Sequence, residues 1–278
     1  MSFKVDFVIP GAGRSGTTSL YLYLDEHPEI QMSSTKEPRY FADHFGQGEH
    51  WYHSLFSGSG DRLAGEASTK YMYDWRSPER MQMYNPEMKC LFVLRNPVDR
   101  AYSNYKWEVC RRGEWRSFEN AAWGRSSHFL YLGLYGKHLQ NYLRYFSRNQ
   151  LRIFQFERFI ERPREVLADA CEFLGVSVDY EFKRAGRRTN RPVRPWSLSL
   201  QRILKHHLTA KNKDNLLARA AKGIVRKPLD WVNHFSAGNK FEGVSEKTRK
   251  KLSSFFRDDL ERLDHIVEFD VSKWLPKK

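Results

Sequence analysis

Residues 3–16 constrain the chain more than any other stretch. An apolar, strand-like run over 3–10 passes straight into the glycine-rich turn Gly11-Ala-Gly-Arg-Ser-Gly16, and a helical stretch over 17–27 follows, stopped by Pro28. A buried strand that turns directly into a helix needs a crossover connection, and crossovers build parallel sheets covered by helices. The pattern repeats downstream. Residues 62–67 and 89–95 read as strands with a helix near 78–84 between them. Val98, Ala101, Tyr102 and Tyr105 then keep helical spacing after Pro97. A helix over 135–146, a short strand over 151–156 and a helix begun by Pro163 and ended by Gly175 complete the alternation. Leu252, Phe255, Phe256, Leu260, Leu263 and Ile266 predict a long amphipathic helix over 245–267. The expected fold class is α/β, a three-layer, P-loop-like fold with a central parallel sheet flanked by helices.

The turn carries chemistry as well as topology. In Gly11-Ala-Gly-Arg-Ser-Gly-Thr-Thr-Ser19 the glycines let the backbone approach an anion, and the amides opening the next helix point at it, aided by the helix dipole. Arg14 supplies positive charge, Thr17 and Thr18 supply hydroxyls, and Ser15, Gly16 and Ser19 complete the expected cradle. An ordinary strand-to-helix turn is the plainer alternative, disfavoured by position and content together. The loop is not a Walker A motif, which needs Lys and then Ser or Thr after its last glycine, the hydroxyl holding magnesium. Here Thr17 follows Gly16 and the cation, Arg14, precedes it, which points to a nucleotide handled without magnesium.

A second anion site is expected in Leu94-Arg95-Asn96-Pro97-Val98-Asp99-Arg100-Ala101-Tyr102-Ser103. Arg95 falls at the carboxyl end of a strand, where ligands sit in open α/β sheets. Ser103 lies two turns into the following helix, off its apolar stripe, so a guanidinium and a hydroxyl converge on one place. Taken alone, the segment also fits a local Arg95–Asp99 ion pair with Ser103 solvated.

With these blocks in view, the chain resembles the sulfotransferases that use 3′-phosphoadenosine 5′-phosphosulfate (PAPS), particularly bacterial members and the heparan sulfate branch. Residues 11–20 look like the family's loop for the 5′-phosphosulfate, and residues 94–105 like its 3′-phosphate motif, with Arg95 and Ser103 at the two binding positions. Lys36-Glu37-Pro38-Arg39-Tyr40-Phe41 looks like the block that places a catalytic glutamate. Weaker similarity runs through His50-Trp51-Tyr52, Gly65-Glu66-Ala67-Ser68 and Leu134-Tyr135 to a helix ending near Trp274. The resemblance implies PAPS as donor, its bisphosphate product PAP and no metal. It implies Glu37 as base and Arg14 as the group facing the bridging oxygen. His27, His44, His50 and His53 offer rival bases. The chain departs from the family in three places: Arg14 stands where lysine is usual, Ala67 where the heparan branch has lysine (Lys70 lying one turn on), and a cysteine-bounded C-terminal loop is missing. Gly238-Asn239-Lys240-Phe241 is expected in its place, with Lys240 toward the nucleotide.

Charge locates the remaining expectations. The chain has 278 residues and a net charge of +14. Between 183 and 227 lie 14 basic residues and one acid, leaving 33 basic and 32 acidic residues elsewhere. A near-neutral body therefore carries one basic segment. The expected division is a single domain, 1–278: a nucleotide-binding body over 1–182, a basic lid or acceptor segment over 183–243, and a C-terminal helix and tail over 244–278 packing back on the body. The acceptor is expected to bear a hydroxyl, less readily an amine, and to be a carbohydrate, a glycolipid or a small metabolite. An anionic saccharide or a peripheral membrane contact would suit the basic segment. A small-molecule kinase of P-loop type, or a nucleic-acid-binding protein using 183–227, are the alternatives. Nucleic acid is not expected, since neither zinc-finger spacing nor an RNA-recognition aromatic motif is present. Three scattered cysteines, Cys90, Cys110 and Cys171, argue against a disulfide framework. No export signal is visible, and no apolar run approaches the roughly 18 residues of a membrane span. These point to a cytoplasmic setting.

Overall fold

The structure, a computed structural model, describes residues 3–56, 60–124, 128–186 and 241–275. Its centre is a five-stranded sheet of β1 (Phe7–Gly11), β2 (Ile30–Met32), β3 (Leu63–Ala67), β4 (Lys89–Leu94) and β5 (Leu151–Gln155). The order is β2-β3-β1-β4-β5 and every pairing is parallel. The helices, in chain order, are α1 (Thr17–Leu24), α2 (Gly48–His53), α3 (Ser77–Tyr84), α4 (Pro97–Arg112), α5 (Phe118–Ala122), α6 (His128–Tyr131), α7 (Tyr135–Tyr142), α8 (Phe156–Glu161), α9 (Pro163–Leu174) and α10 (Glu246–Asp264).

Strand periodicity explains the three layers. β1 and β4 are covered on both faces, so their sequences read as continuous apolar runs. Alternate residues nevertheless separate into two cores. Phe7, Ile9, Leu91 and Val93 join Leu20 and Leu24 of α1 and Val166, Leu167 and Leu174 of α9. Val8, Cys90, Phe92 and Leu94 join Val98 of α4, Leu139 and Tyr142 of α7, and Leu252, Phe256 and Leu260 of α10. The central parallel sheet flanked by helices is thus the α/β architecture expected from the sequence.

Boundaries move by a few residues for local reasons. α1 stops at Leu24 rather than at residue 27, because His27 leaves the helix to donate through Nε2 to the Ser177 carbonyl (2.9 Å) and to accept the Glu29 amide on Nδ1 (3.2 Å). α10 begins one residue past Ser245, whose hydroxyl accepts the Thr248 amide at 3.2 Å. The edge strand β2 has three residues, too few to show a period.

α10 reaches the body through a cap supplied from a distant part of the chain. The first turn of α7 has no side-chain cap of its own, and the buried Asp259 of α10 accepts the Gly136 and Lys137 amides, both at 2.9 Å. Only glycine fits at 136, since a Cβ there would lie 2.5 Å from the Asp259 carbonyl oxygen. Arg249 of α10 adds an ion pair to Asp99 of α4 at 2.6 Å. Among the described residues no helix is long and apolar enough to cross a membrane.

Candidate active site

β1 and β4 are neighbours, but the helices that follow them, α1 and α4, lie on opposite faces of the sheet. A crevice opens at the carboxyl ends of strands whose connections diverge in this way, and Arg14 and Arg95 leave the sheet there.

Gly16, at φ +91°, caps α1 in the left-handed region; no side chain bonds the helix start and no acid sits in its first turn. A Cβ on Gly16 would come within 3.2 Å of the Phe156 ring, so glycine is required for space as well as for backbone angle. Ser15 and Thr17 are buried, whereas the Ser19 hydroxyl is committed to Tyr23. Arg14 Nε is buried and has no hydrogen-bond partner. Burial, and after it the charge of Arg95, push the Arg14 pKa down. An unpaired guanidinium nitrogen in the field of a second guanidinium is a site that an anion would satisfy.

Arg95 lies 4.7 Å over the Phe156 ring, and its Nη1 is 3.5 Å from the Arg14 carbonyl oxygen. The Tyr135 hydroxyl donates to the Arg95 carbonyl at 2.9 Å, and burial raises that phenol to about 12. Asn96 caps α4 by accepting the Val98 and Asp99 amides. The local alternative for this segment does not form: Asp99 pairs with Arg249, and Ser103 is buried on α4. Lys106, three residues beyond Ser103, is a further cation, its pKa lowered by burial and then by Arg95 and Arg14. Glu157 is the counter-charge: its Oε1 accepts the Asn96 amide at 3.3 Å, and burial raises its pKa against the pull of Arg95.

Glu37 is held beside this loop. Its amide donates to the Ala67 carbonyl at 2.9 Å. Oε1 accepts the Thr69 hydroxyl (2.9 Å) and Lys36 Nζ (3.0 Å), Oε2 accepts the Thr69 amide (3.0 Å), and Arg39 Nε lies 3.8 Å from Oε2. A Cβ on Gly13 would stand 3.6 Å from Thr69, which places the carboxylate's support against the phosphate loop. Among the described residues, Arg14, Glu37 and Arg39 are the three non-glycine residues in the left-handed region, at φ +72°, +61° and +54°. Backbone strain of this kind persists where surrounding contacts fix it, and it concentrates at functional sites.

Beneath Glu37 lies Glu66, fully buried, which accepts the Tyr52 hydroxyl at 3.3 Å. Desolvation raises its pKa to about 7, with a smaller upward push from the Glu37 charge.

A family model described as a sulfotransferase domain matches residues 4–268. The chain belongs to the sulfotransferase family. This sulfotransferase is 26% identical to a solved sulfotransferase from Alicyclobacillus acidocaldarius, with a TM-score of 0.71 over 99% of both chains. A mouse sulfotransferase, SULT7A1, solved in complex with PAP, shares the fold at 17% identity and a TM-score of 0.54, covering 95% of this chain and 88% of that one. Among curated relatives, the mouse heparan sulfate glucosamine 3-O-sulfotransferase 3A1 is 29% identical over 82% of this chain. The mouse bifunctional heparan sulfate N-deacetylase/N-sulfotransferase 4 is 26% identical over 97% of it. The chain spans 60% and 31% of those two proteins' lengths.

Of the positions singled out in the sequence of this sulfotransferase, residues 14–16 and Arg95 fall on the β1–α1 and β4–α4 connections, residues 17–19 open α1, Ser103 lies within α4, and Glu37 is bonded to Thr69, which lies beside Gly13 of the first connection. Lys240 and residues 187–227 lie outside the described residues. Two of the four rival histidines are committed elsewhere: His27 is buried, and His53 Nε2 lies 2.9 Å from the Tyr84 hydroxyl. Lys70 does not reach Glu37; it pairs with Asp43. Sequence reasoning passed over Lys106, Glu157, Phe156 and Thr69. Lys106 carried a signal, being one turn beyond Ser103; Thr69 carried none, because its role depends on where the 36–41 segment folds.

Proposed function

We propose that this sulfotransferase moves the sulfonate of PAPS to a hydroxyl of a saccharide acceptor. Arg95 and Ser103 hold the 3′-phosphate in this reading. Arg14, the amides of residues 15–19 and the hydroxyls of Ser15, Thr17 and Thr18 hold the 5′-phosphosulfate. The observation that carries the proposal is the pair of guanidiniums that feel each other's charge, Arg14 with an unpartnered buried nitrogen, together with a carboxylate held by Thr69, which lies beside Gly13 of the same loop. Relatives named for heparan sulfate support the saccharide class, and an anionic saccharide suits the basic segment 183–227.

The donor brings a sulfonate already activated by its bond to a phosphate oxygen. Glu37 takes the acceptor's proton as the acceptor oxygen bonds to sulfur. Arg14 and the opening amides of α1 receive the charge left on the phosphate oxygen as its bond to sulfur breaks. Arg95 and Lys106 keep the bisphosphate in line, so that positioning offsets the weak basicity of a carboxylate.

Transfer of labelled sulfonate from PAPS to a panel of saccharides, with PAP binding measured in metal-free buffer, tests the proposal. Saturable PAP binding and label on saccharide oxygen are expected. Magnesium-dependent turnover of ATP without sulfonate transfer would refute it.

A further inference from the structure

We propose that Thr69 is the positioning residue that locks Glu37 in register with the phosphate loop. The inference rests on Glu37 acting as the base. A carboxylate at the end of a glutamate side chain rotates freely unless both oxygens are engaged. Thr69 engages both, its hydroxyl on Oε1 at 2.9 Å and its amide on Oε2 at 3.0 Å. The other close donor, Lys36, is the sequence neighbour and reaches only Oε1. Thr69 is itself well anchored. It is the second residue after β3, in a turn closed by the Tyr71 amide on the Ser68 carbonyl at 3.1 Å, and it is β-branched, with few side-chain rotamers. Its Cβ and Oγ1 face Gly13, 3.6 Å from where a Cβ on that glycine would stand. One residue therefore lies beside the loop that carries Arg14 and binds the carboxylate that must meet the acceptor. No lysine does this work from β3, since Ala67 ends the strand and Lys70 turns away to Asp43.

Hydrogen bonds to a carboxylate favour its ionised form and fix its plane. Losing the hydroxyl donor should loosen the base, without touching the cations that hold the nucleotide. The test compares Thr69→Val, which keeps the shape, with Thr69→Ser, which keeps the hydroxyl. Thr69→Val is expected to lower kcat about 10- to 30-fold, as small misplacements of reacting groups do, with PAP affinity within about twofold of wild type. Thr69→Ser should restore most of the loss. Independently of turnover, the 13C carboxyl signal of Glu37 at neutral pH, assigned by its absence in Glu37→Gln, should be displaced by loss of the Thr69 hydroxyl bond in Thr69→Val and keep its wild-type position in Thr69→Ser. Wild-type kcat with an unmoved Glu37 carboxyl signal in Thr69→Val would overturn the proposal. So would loss of PAP binding, which would make Thr69 a support of the loop. If Thr69→Val does not fold, Thr69→Ala is read by the same criteria. Absence of sulfonate transfer by the wild type would strike the role of Glu37 as base, while the carboxyl signal would still decide whether Thr69 holds its carboxylate.

Discussion

Replacing Arg95 with methionine removes one of the two facing guanidiniums while keeping an apolar stem to lie against Phe156. In the free protein these charges oppose each other: Arg95 lowers the pKa of Arg14, and Lys106 feels both arginines. A bisphosphate turns that repulsion into attraction, so Arg95 should matter in opposite senses with and without ligand. Losing one charge-assisted hydrogen bond to a phosphate costs about 2 kcal/mol, or about 30-fold in the dissociation constant of PAP. Without ligand, relief of a partly solvent-screened like-charge contact is worth on the order of 1 kcal/mol at most, so the melting temperature should hold or rise by a few degrees. Calorimetric titration with PAP and differential scanning calorimetry of the free variant measure the two terms. At 100 times its dissociation constant, PAP should stabilise the wild type by about 2.7 kcal/mol. Wild-type affinity for PAP in Arg95→Met, or a free variant that melts many degrees lower, would refute the argument and make Arg95 a structural residue.

Two further perturbations probe the groups around the site. Glu66, with its pKa raised from 4.5 to about 7 in the folded state, gives a contribution to stability that is complete below pH 4.5 and lost as pH rises through about 7. Glu66→Gln should therefore stabilise the protein near pH 8 by about 3 kcal/mol and flatten the stability profile between those two pH values, as denaturant melts across pH would register. Asp259→Ala strips one buried and one half-buried amide of their acceptor and should cost about 3 kcal/mol, with hydrogen exchange quickening first at Gly136 and Lys137. A cost below about 1 kcal/mol would mean that α10 docks by its apolar face alone.

What could be read from the sequence, and what could not, separates along physical lines. The β1–α1 and β4–α4 connections were legible because each is local: strand, turn and helix lie within about 20 residues, and glycine or proline marks the junction. That helices cover the sheet was legible too, because β1 reads as a continuous apolar run; which core Val8 and Ile9 each enter was not, since such a run carries no alternation. The support of Glu37 was not. Thr69 is 32 residues away in sequence, and nothing in either segment records that their backbones meet at Ala67. Asp259 is likewise hidden, since a cap delivered from 122 residues away leaves no pattern near α7. Asp99 looked like a partner for Arg95 because the two are close in sequence; α10 supplies Arg249 instead, leaving Arg95 directed at Arg14 and Phe156.

Glu37→Gln tests the central claim most directly, because the substitution keeps size and removes the proton acceptor. Turnover of PAPS in the presence of a saccharide acceptor and the affinity for PAP should be measured on the same preparation. The account predicts a fall in kcat of about a hundredfold or more, with PAP affinity within about twofold of wild type. Unchanged kcat, or a variant whose defect lies in PAP binding rather than turnover, would contradict it.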